Sequence, residues 1–159
     1  MPILHAQAQG QAKDAKGNDV QIPAPAALQI NGPRLQVSVT LEQNALQTLA
    51  AQGKPVPVPK VGLALIDTGA SHTCIDEQTA KELGLPVIDV GYMVSATHEK
   101  VPCNIYPMSM ATPIATLNCP RAMGASLAGQ GLVALIGRDV LQICVLHYNG
   151  LIGQYTIAL

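Results

Sequence analysis

The clearest hydrophobic pattern in the chain is the strict alternation of apolar and polar residues from Leu35 to Leu41. A period of two residues puts every apolar side chain on one face, which is typical of a half-buried β-strand. The Asn31-Gly32-Pro33 sequence just before it favours a turn. We therefore predict a strand over residues 35–41 that starts from this turn.

Two other apolar stretches lack alternation and predict strands that are buried on both faces. They are Val61 to Ile66 and Leu132 to Ile136. Between them, the extended segments Val90 to Val94 and Val101 to Tyr106 flank the polar residues 95–100, which is the layout of a β-hairpin with a polar tip. The chain is thus predicted to be mainly β.

Helical patterns are short. Glu42 to Ala51 has apolar residues at helical spacing and ends at Gln52-Gly53. Residues 76–86 begin with acidic residues and end in Gly-x-Pro, both of which are helix boundary signals. Asp139 to Leu146 is also compatible with a short helix.

The size of the chain predicts one domain. Its 159 residues, of which 48% are hydrophobic, are enough to bury a core. Residues 1–25 mix alanine with polar residues and show no apolar period, so we expect a flexible N-terminal arm there. Residues 26–159 are then the single folded domain.

Charge and hydropathy narrow the range of partners. The formal net charge is −1, and the Lys and Arg residues are scattered along the chain. This gives no basic footprint for nucleic acid. No apolar run is long enough to span a bilayer, and Met1 to His5 lacks the features of a secretion signal. We expect a cytoplasmic protein whose partner is a polypeptide.

The candidate chemistry lies at Asp67, which follows the first buried strand and is followed by Thr68 and Gly69. A carboxylate at the end of a buried strand needs backbone donors or a second acid to set its charge. The alternative is an ordinary turn, in which the aspartate caps its own backbone and the glycine supplies a positive φ.

Other reactive side chains near this turn have weaker patterns. Ser71 lacks the second glycine of a nucleophile elbow. His72 and Cys74 could face the same way, but no third orienting group is evident. The pairs His72/Cys74 and Cys144/His147 could converge on zinc, although neither spacing matches a known zinc motif. We predict no metal and no cofactor.

Two motifs together resemble the retropepsin-like aspartic proteases. Residues 65–70 read Leu-Ile-Asp-Thr-Gly-Ala, and residues 135–141 read Leu-Ile-Gly-Arg-Asp-Val-Leu. The resemblance implies an all-β, closed-barrel fold with one or two short helices that acts as a homodimer. The resemblance also implies that Asp67 is the catalytic acid and that the loop after it, Thr68, Gly69, Ala70 and Ser71, binds substrate. It implies that the tip of a flap is formed by Ser95, Ala96, Thr97 and His98. The residues implied to support the site are Ile136, Gly137 and Arg138.

The chain departs from the family in two places. Retroviral flap tips are glycine-rich, whereas this chain has no glycine between Gly91 and Gly124. In retroviral relatives the arginine that corresponds to Arg138 pairs with an aspartate, but Ser71 and His72 occupy that region here. Asp139 or a backbone carbonyl is then the expected partner of Arg138. In the family, the N-terminal arm often pairs with the termini of a partner subunit.

The number of catalytic aspartates per chain determines the expected mechanism. Peptide hydrolysis by this family needs two carboxylates that share one proton. This chain has one Asp-(Thr/Ser)-Gly motif, so the second Asp67 must come from another subunit. The predicted function is a homodimeric aspartic endopeptidase. The alternatives are a dimeric peptide-binding module with little catalysis and a zinc-stabilised structural protein.

Overall fold

The computed structural model describes residues 1–95 and 98–159, which form a mostly β fold. The strands are β1 (Ile3–Gln7), β2 (Gln11–Lys13), β3 (Asp19–Gln21), β4 (Arg34–Thr40), β5 (Lys60–Ile66), β6 (Cys74–Asp76), β7 (Asp89–Ser95), β8 (His98–Ala111), β9 (Thr116–Ala125), β10 (Leu132–Ile136), β11 (Val145–Asn149) and β12 (Gln154–Ala158). The helices are α1 (Ala24–Asn31), α2 (Gln43–Ala51), α3 (Glu77–Glu82) and α4 (Arg138–Leu141), with a short 3-10 helix at Ala128–Gln130.

The largest sheet has seven strands in the order β4-β5-β10-β6-β9-β8-β7. Strand β4 also pairs with β8, with Val39 opposite Met110, so β4 has neighbours on both of its edges. Strands β5 and β10 run parallel, with Ile66 opposite Ile136. The two predicted apolar strands therefore end side by side, and the residues that follow them meet at one edge.

The predicted hairpin is present as β7 and β8. The two strands pair antiparallel from Asp89 opposite Ile105 to Ser95 opposite His98. The pairing positions the backbone of Ser95 and His98 at the end of the hairpin. Ala96 and Thr97, which were predicted at its tip, lie outside the described residues.

The terminal strands form a second sheet in the order β1-β12-β11. Ile3 pairs with Ala158 and Gln7 with Gln154, so the first strand is held by the last strand of the same chain. Strands β2 and β3 form a separate hairpin. The domain boundary near residue 25 stays a prediction.

Two helix predictions need correction. The described residues contain four short α-helices rather than one or two; the helix that sequence patterns did not predict is α1, which starts at Ala24 and has Pro25 in its first turn. A proline in the first helical turn is tolerated because its missing N–H would have no partner there. The predicted helix over 139–146 ends at Leu141, and Val145 onward pairs with β12 instead.

The core is built from aliphatic side chains, with Tyr106 as its largest fully buried residue. It joins α1, α3 and the seven-stranded sheet to the terminal sheet through one continuous cluster. Other fully buried members are Leu28, Val37, Val39, Ile75, Met108, Met110 and Ile136. Within the described ranges, no helix combines the length and apolar character that crossing a bilayer requires.

Candidate active site

Asp67 lies in the turn that leaves β5. Its backbone N–H donates to the carbonyl of Ile136 (2.9 Å), which extends the β5–β10 pairing by one residue. Its side-chain Oδ1 accepts hydrogen bonds from the backbone N–H groups of Gly69 (2.8 Å) and Ala70 (3.3 Å). The turn therefore holds one carboxylate oxygen in place through main-chain donors.

The glycine of this turn is favoured by close packing. A Cβ on Gly69 would lie 3.1 Å from Oδ1 of Asp67, which is tighter than nine in ten real Cβ contacts. A side chain at this position would push the carboxylate or the loop aside. Gly69 thus keeps the backbone N–H close to the acid.

The second motif packs directly against the first. A Cβ on Gly137 would overlap the backbone of His72 and Thr73, so only glycine fits there without movement. Just after it, the N–H groups of Arg138 and Asp139 donate to the carbonyls of Ala70 (3.0 Å) and Ser71 (3.3 Å). The start of α4 therefore binds the loop that follows Asp67.

Thr73 and Asp139 connect the same two segments through side chains. The Asp139 carboxylate accepts from the backbone N–H of Thr73 (2.9 Å to Oδ1 and 3.0 Å to Oδ2) and from its hydroxyl (2.8 Å). The hydroxyl oxygen in turn accepts from the N–H of Gly137 (3.2 Å). Since Thr73 is fully buried, this network fixes the far end of the loop.

Arg138 binds the loop rather than Asp139. Its guanidinium donates to the backbone carbonyl of Thr68 (3.2 Å) and to the hydroxyl of Ser71 (2.9 Å). Of the two partners expected for Arg138, the carbonyl is the one observed. The network around Thr73 and Asp139 was missed, because nothing in the local sequence links two residues 66 positions apart.

The Asp67 turn faces the β7–β8 hairpin across a cleft of about 440 Å³. Asp67 is the single acid among the described residues that line it. Thr68 and the supporting residues Ile136, Gly137 and Arg138 lie outside the lining. Leu135, the first residue of the second motif, contributes to it, as does Met123, which sequence patterns did not single out. The other lining residues are Gly69, Ala70, Ser71, His72, Cys74, Tyr92, Met93 and Val94.

The other candidate nucleophiles are poorly placed for catalysis. Burial raises the pKa of the Cys74 thiol to about 12, with smaller contributions from Cys103, Asp139 and Asp67. A thiol with this pKa is not a thiolate at neutral pH. The Ser71 hydroxyl contacts the Arg138 guanidinium, which cannot act as a base.

The zinc alternative has no support from the geometry. Among the side chains that the structure describes, those of residues 1–94 and 100–159, no three His, Cys, Asp or Glu are grouped closely enough to hold a metal ion. All four cysteines are free thiols. The pairs His72/Cys74 and Cys144/His147 therefore do not form a shared ligand set.

Among models of known protein families, the one described as aspartyl protease matches residues 48–112 of this chain. No curated protein sequence matches the chain. Among solved structures, it is similar to a retropepsin-like aspartic protease from Rickettsia conorii, at 13% sequence identity and a TM-score of 0.43, with 98% of this chain and 92% of that chain covered. The segment that carries Asp67 and the β7–β8 hairpin thus matches the aspartyl protease model, in agreement with the resemblance of the first motif, while residues 135–141 lie outside the match.

Proposed function

We propose that this chain is an aspartic endopeptidase in which two copies of Asp67, one from each subunit of a homodimer, activate water. One observation carries the proposal. The Asp67 carboxylate, held by the N–H groups of Gly69 and Ala70, lies on a cleft beneath a β-hairpin, within the segment that matches the aspartyl protease model. An extended peptide in this cleft would pass between the acid and β7.

The proposed mechanism requires a dimer because Asp67 is the one acid among the described residues that line the cleft. Two adjacent carboxylates cannot both ionise easily, so the pair keeps one proton between them. The ionised carboxylate takes a proton from water as the water oxygen attacks the scissile carbonyl carbon. The protonated one donates to the carbonyl oxygen. When the tetrahedral intermediate collapses, the C–N bond breaks and the carboxyl that took the proton from water donates it to the leaving nitrogen. The other carboxylate takes a proton from the hydroxyl of the intermediate, which restores the single shared proton.

The open edge of β11 supports a homodimer. In the described part of the chain, β11 pairs with β12 and no strand covers its other edge. Val145 and Tyr148 on this strand are at least half exposed, and Leu151 in the following turn is 88% exposed. An uncovered edge with apolar side chains favours pairing with another strand. A second copy, related by a twofold axis, would supply that strand.

The remaining roles follow from the same arrangement. Gly69, Ala70 and Ser71 form the loop on which the peptide lies, and Thr68 contacts its counterpart across the dimer axis. The hairpin that ends at Ser95 and His98 acts as a flap over the substrate. We further infer that the β4–β8 pairing closes the large sheet into a barrel.

A peptide-library digest tests the proposal. Asp67→Asn removes the acid but keeps its size, so we expect hydrolysis to fall by about 10²–10⁴-fold, the typical loss when a general acid or base is removed. Circular dichroism should show an unchanged fold. Asp19→Asn, at an exposed acid on β3, is the matched control and should keep parental activity.

Two results would contradict the proposal. The first is residual hydrolysis within about tenfold of the parent in Asp67→Asn, which would remove Asp67 from the chemistry. The second is binding of peptides from the library by the parent protein without any cleavage. That result would favour the dimeric peptide-binding module, since it requires the cleft but no chemistry.

A further inference from the structure

A second pocket lies between the N-terminal strand and the β4–β5 pair, and shares no lining residue with the Asp67 cleft. Its volume is about 330 Å³. Arg34 is the one charged residue among the described residues that line it. The other polar lining includes the amides of Gln7, Gln9, Asn31 and Gln36. The wall of this pocket therefore carries a positive charge and hydrogen-bond donors.

Arg34 differs from the other two arginines in how its donors are used. Arg121 forms an ion pair with Asp89 (2.6 Å), and Arg138 donates to the Asp67 loop. Among the described residues, the side chain of Arg34 makes one hydrogen bond, from Nε to the carbonyl of Asn31 (2.9 Å), and no ion pair. A guanidinium has five N–H donors. The four on its terminal nitrogens therefore remain for a ligand.

The position of Arg34 is set from several sides, although its side chain is only half-buried. Its backbone pairs with Leu65 in the β4–β5 ladder, and its carbonyl accepts from the buried Tyr155 hydroxyl. The bond from Nε to Asn31 orients the plane of the guanidinium. A guanidinium that is already oriented before binding can donate to both oxygens of a carboxylate with little further loss of side-chain conformational entropy.

The rest of the lining favours a carboxylate that is attached to an apolar group. Leu4, Leu35 and Leu63 contribute apolar surface to the same pocket. A single guanidinium balances one negative charge, whereas a phosphate dianion would need further cations. We propose that this pocket binds a carboxylate carried on an aliphatic group, for which the C-terminus of a peptide and the side chain of a glutamate are the two sources.

Calorimetric titration with three small probes tests the site. N-acetyl-leucine has a C-terminal carboxylate, N-acetyl-leucinamide is its neutral match, and N-acetyl-glutamic acid α-amide has the side-chain carboxylate. We expect the amide to bind at least about tenfold more weakly than N-acetyl-leucine, since it loses a charge-assisted bidentate contact. The third probe shows which source the pocket prefers.

Variants link the binding to Arg34. Arg34→Gln should weaken N-acetyl-leucine binding by about tenfold or more. Arg34→Lys should give an intermediate affinity, because lysine keeps the positive charge but cannot donate the two parallel hydrogen bonds of a guanidinium. Arg121→Gln, which removes a different arginine, should bind as the parent does. Asp67→Asn should also bind as the parent does, which separates this site from the proposed catalysis.

The site would be refuted by any of three results. These are equal binding of N-acetyl-leucine and its amide by the parent, unchanged binding in a folded Arg34→Gln variant, or an equal loss in Arg121→Gln. If Arg34→Gln does not fold, the comparison of acid and amide on the parent protein still decides the question, with Arg34→Lys as the second variant.

Discussion

The backbone of Gly124 lies directly against the carboxylate of Glu77. A Cβ added at Gly124 would overlap Oε2 of Glu77 and would lie 3.0 Å from the ring of Tyr106. The other oxygen, Oε1, accepts from the Asn104 amide (2.7 Å) and the Tyr106 hydroxyl (2.9 Å). Helix α3, the hairpin strand β8 and strand β9 therefore meet at one side chain, and a Cβ at position 124 would force the Glu77 carboxylate away from its present place.

We predict that Gly124→Ala lowers the free energy of unfolding by about 1–3 kcal/mol, the usual cost of forcing extra volume into a packed site. Chemical denaturation measures this change. Gly129→Ala is the matched control, because a Cβ at Gly129 meets no atom within 4 Å. We expect that control to stay within about 0.5 kcal/mol of the parent.

The double variant Glu77→Ala/Gly124→Ala tests whether the cost of Gly124→Ala comes from overlap with the Glu77 carboxylate or from the changed backbone preference of residue 124. In a Glu77→Ala background the overlapping carboxylate is absent, so Gly124→Ala should cost less than about half of what it costs in the parent. An equal cost in both backgrounds would show that Glu77 is not what excludes a side chain at Gly124.

Asp76 is a buried carboxylate that joins α3 to the segment after β9. Its Oδ2 accepts from the backbone N–H of Thr79 (3.0 Å) at the start of α3, and its Oδ1 accepts from the N–H groups of Leu127 (3.0 Å) and Ala128 (3.1 Å). Burial alone would raise the pKa of Asp76, but these hydrogen bonds outweigh burial and hold the pKa below its ordinary value of 3.8.

The free energy of unfolding should therefore depend on the protonation of the Asp76 carboxylate at acidic pH. Because the pKa of Asp76 is lower in the folded than in the unfolded state, its contribution is fully present above the unfolded pKa, near 4, and is lost as pH falls through the folded pKa. Asp76→Asn should lower the free energy of unfolding by about 1–3 kcal/mol at pH 7, and the difference from the parent should shrink below about pH 3.

Urea unfolding of parent and variant at pH 7, 4 and 2.5 measures this difference. Asp19→Asn is the control, since its exposed ion pair with Lys13 should contribute less than about 1 kcal/mol. A gap between parent and Asp76→Asn that stays constant from pH 7 to pH 2.5 would mean that the charge of Asp76 does not stabilise the fold.

Local patterns predicted the elements whose signals are contained within a few residues. The alternation from Leu35 to Leu41 corresponds to β4, and the apolar runs before Asp67 and Gly137 correspond to β5 and β10. The existence of these strands is visible in the residues themselves. The prediction that β5 is buried on both faces was wrong, because the side chains of Val61 and Leu63 are exposed.

Elements that depend on distant partners were missed. Residues 139–146 have a helical pattern, yet Val145 and Leu146 pair with β12 because that strand passes beside them. Met123 lines the cleft because β9 pairs parallel to β6, with Met123 opposite Cys74. The bonds between Thr73 and Asp139 likewise require the fold before they can be seen.

The last prediction concerns the number of subunits needed for hydrolysis, and it rests on the single acid in the described lining of the cleft. If parent and Asp67→Asn chains exchange completely at equal concentrations, roughly a quarter of the dimers contain two parent chains. Mixed dimers keep one Asp67 but lose the pair that shares a proton, which should reduce their rate by about 10²–10⁴-fold. Activity should therefore fall toward a quarter of that of the same total concentration of parent chains.

Mixing also distinguishes this mechanism from independent subunits. Subunits that worked alone would keep half of the activity at every mixing time, because half of the chains are parental. Exchange must be followed separately, for example by energy transfer between labelled chains, so that a value near one half is interpreted only after exchange is complete. As a control, parent mixed with Asp19→Asn should keep full activity, since both chains carry Asp67. A value that stays near one half after complete exchange with Asp67→Asn would contradict the shared pair of acids.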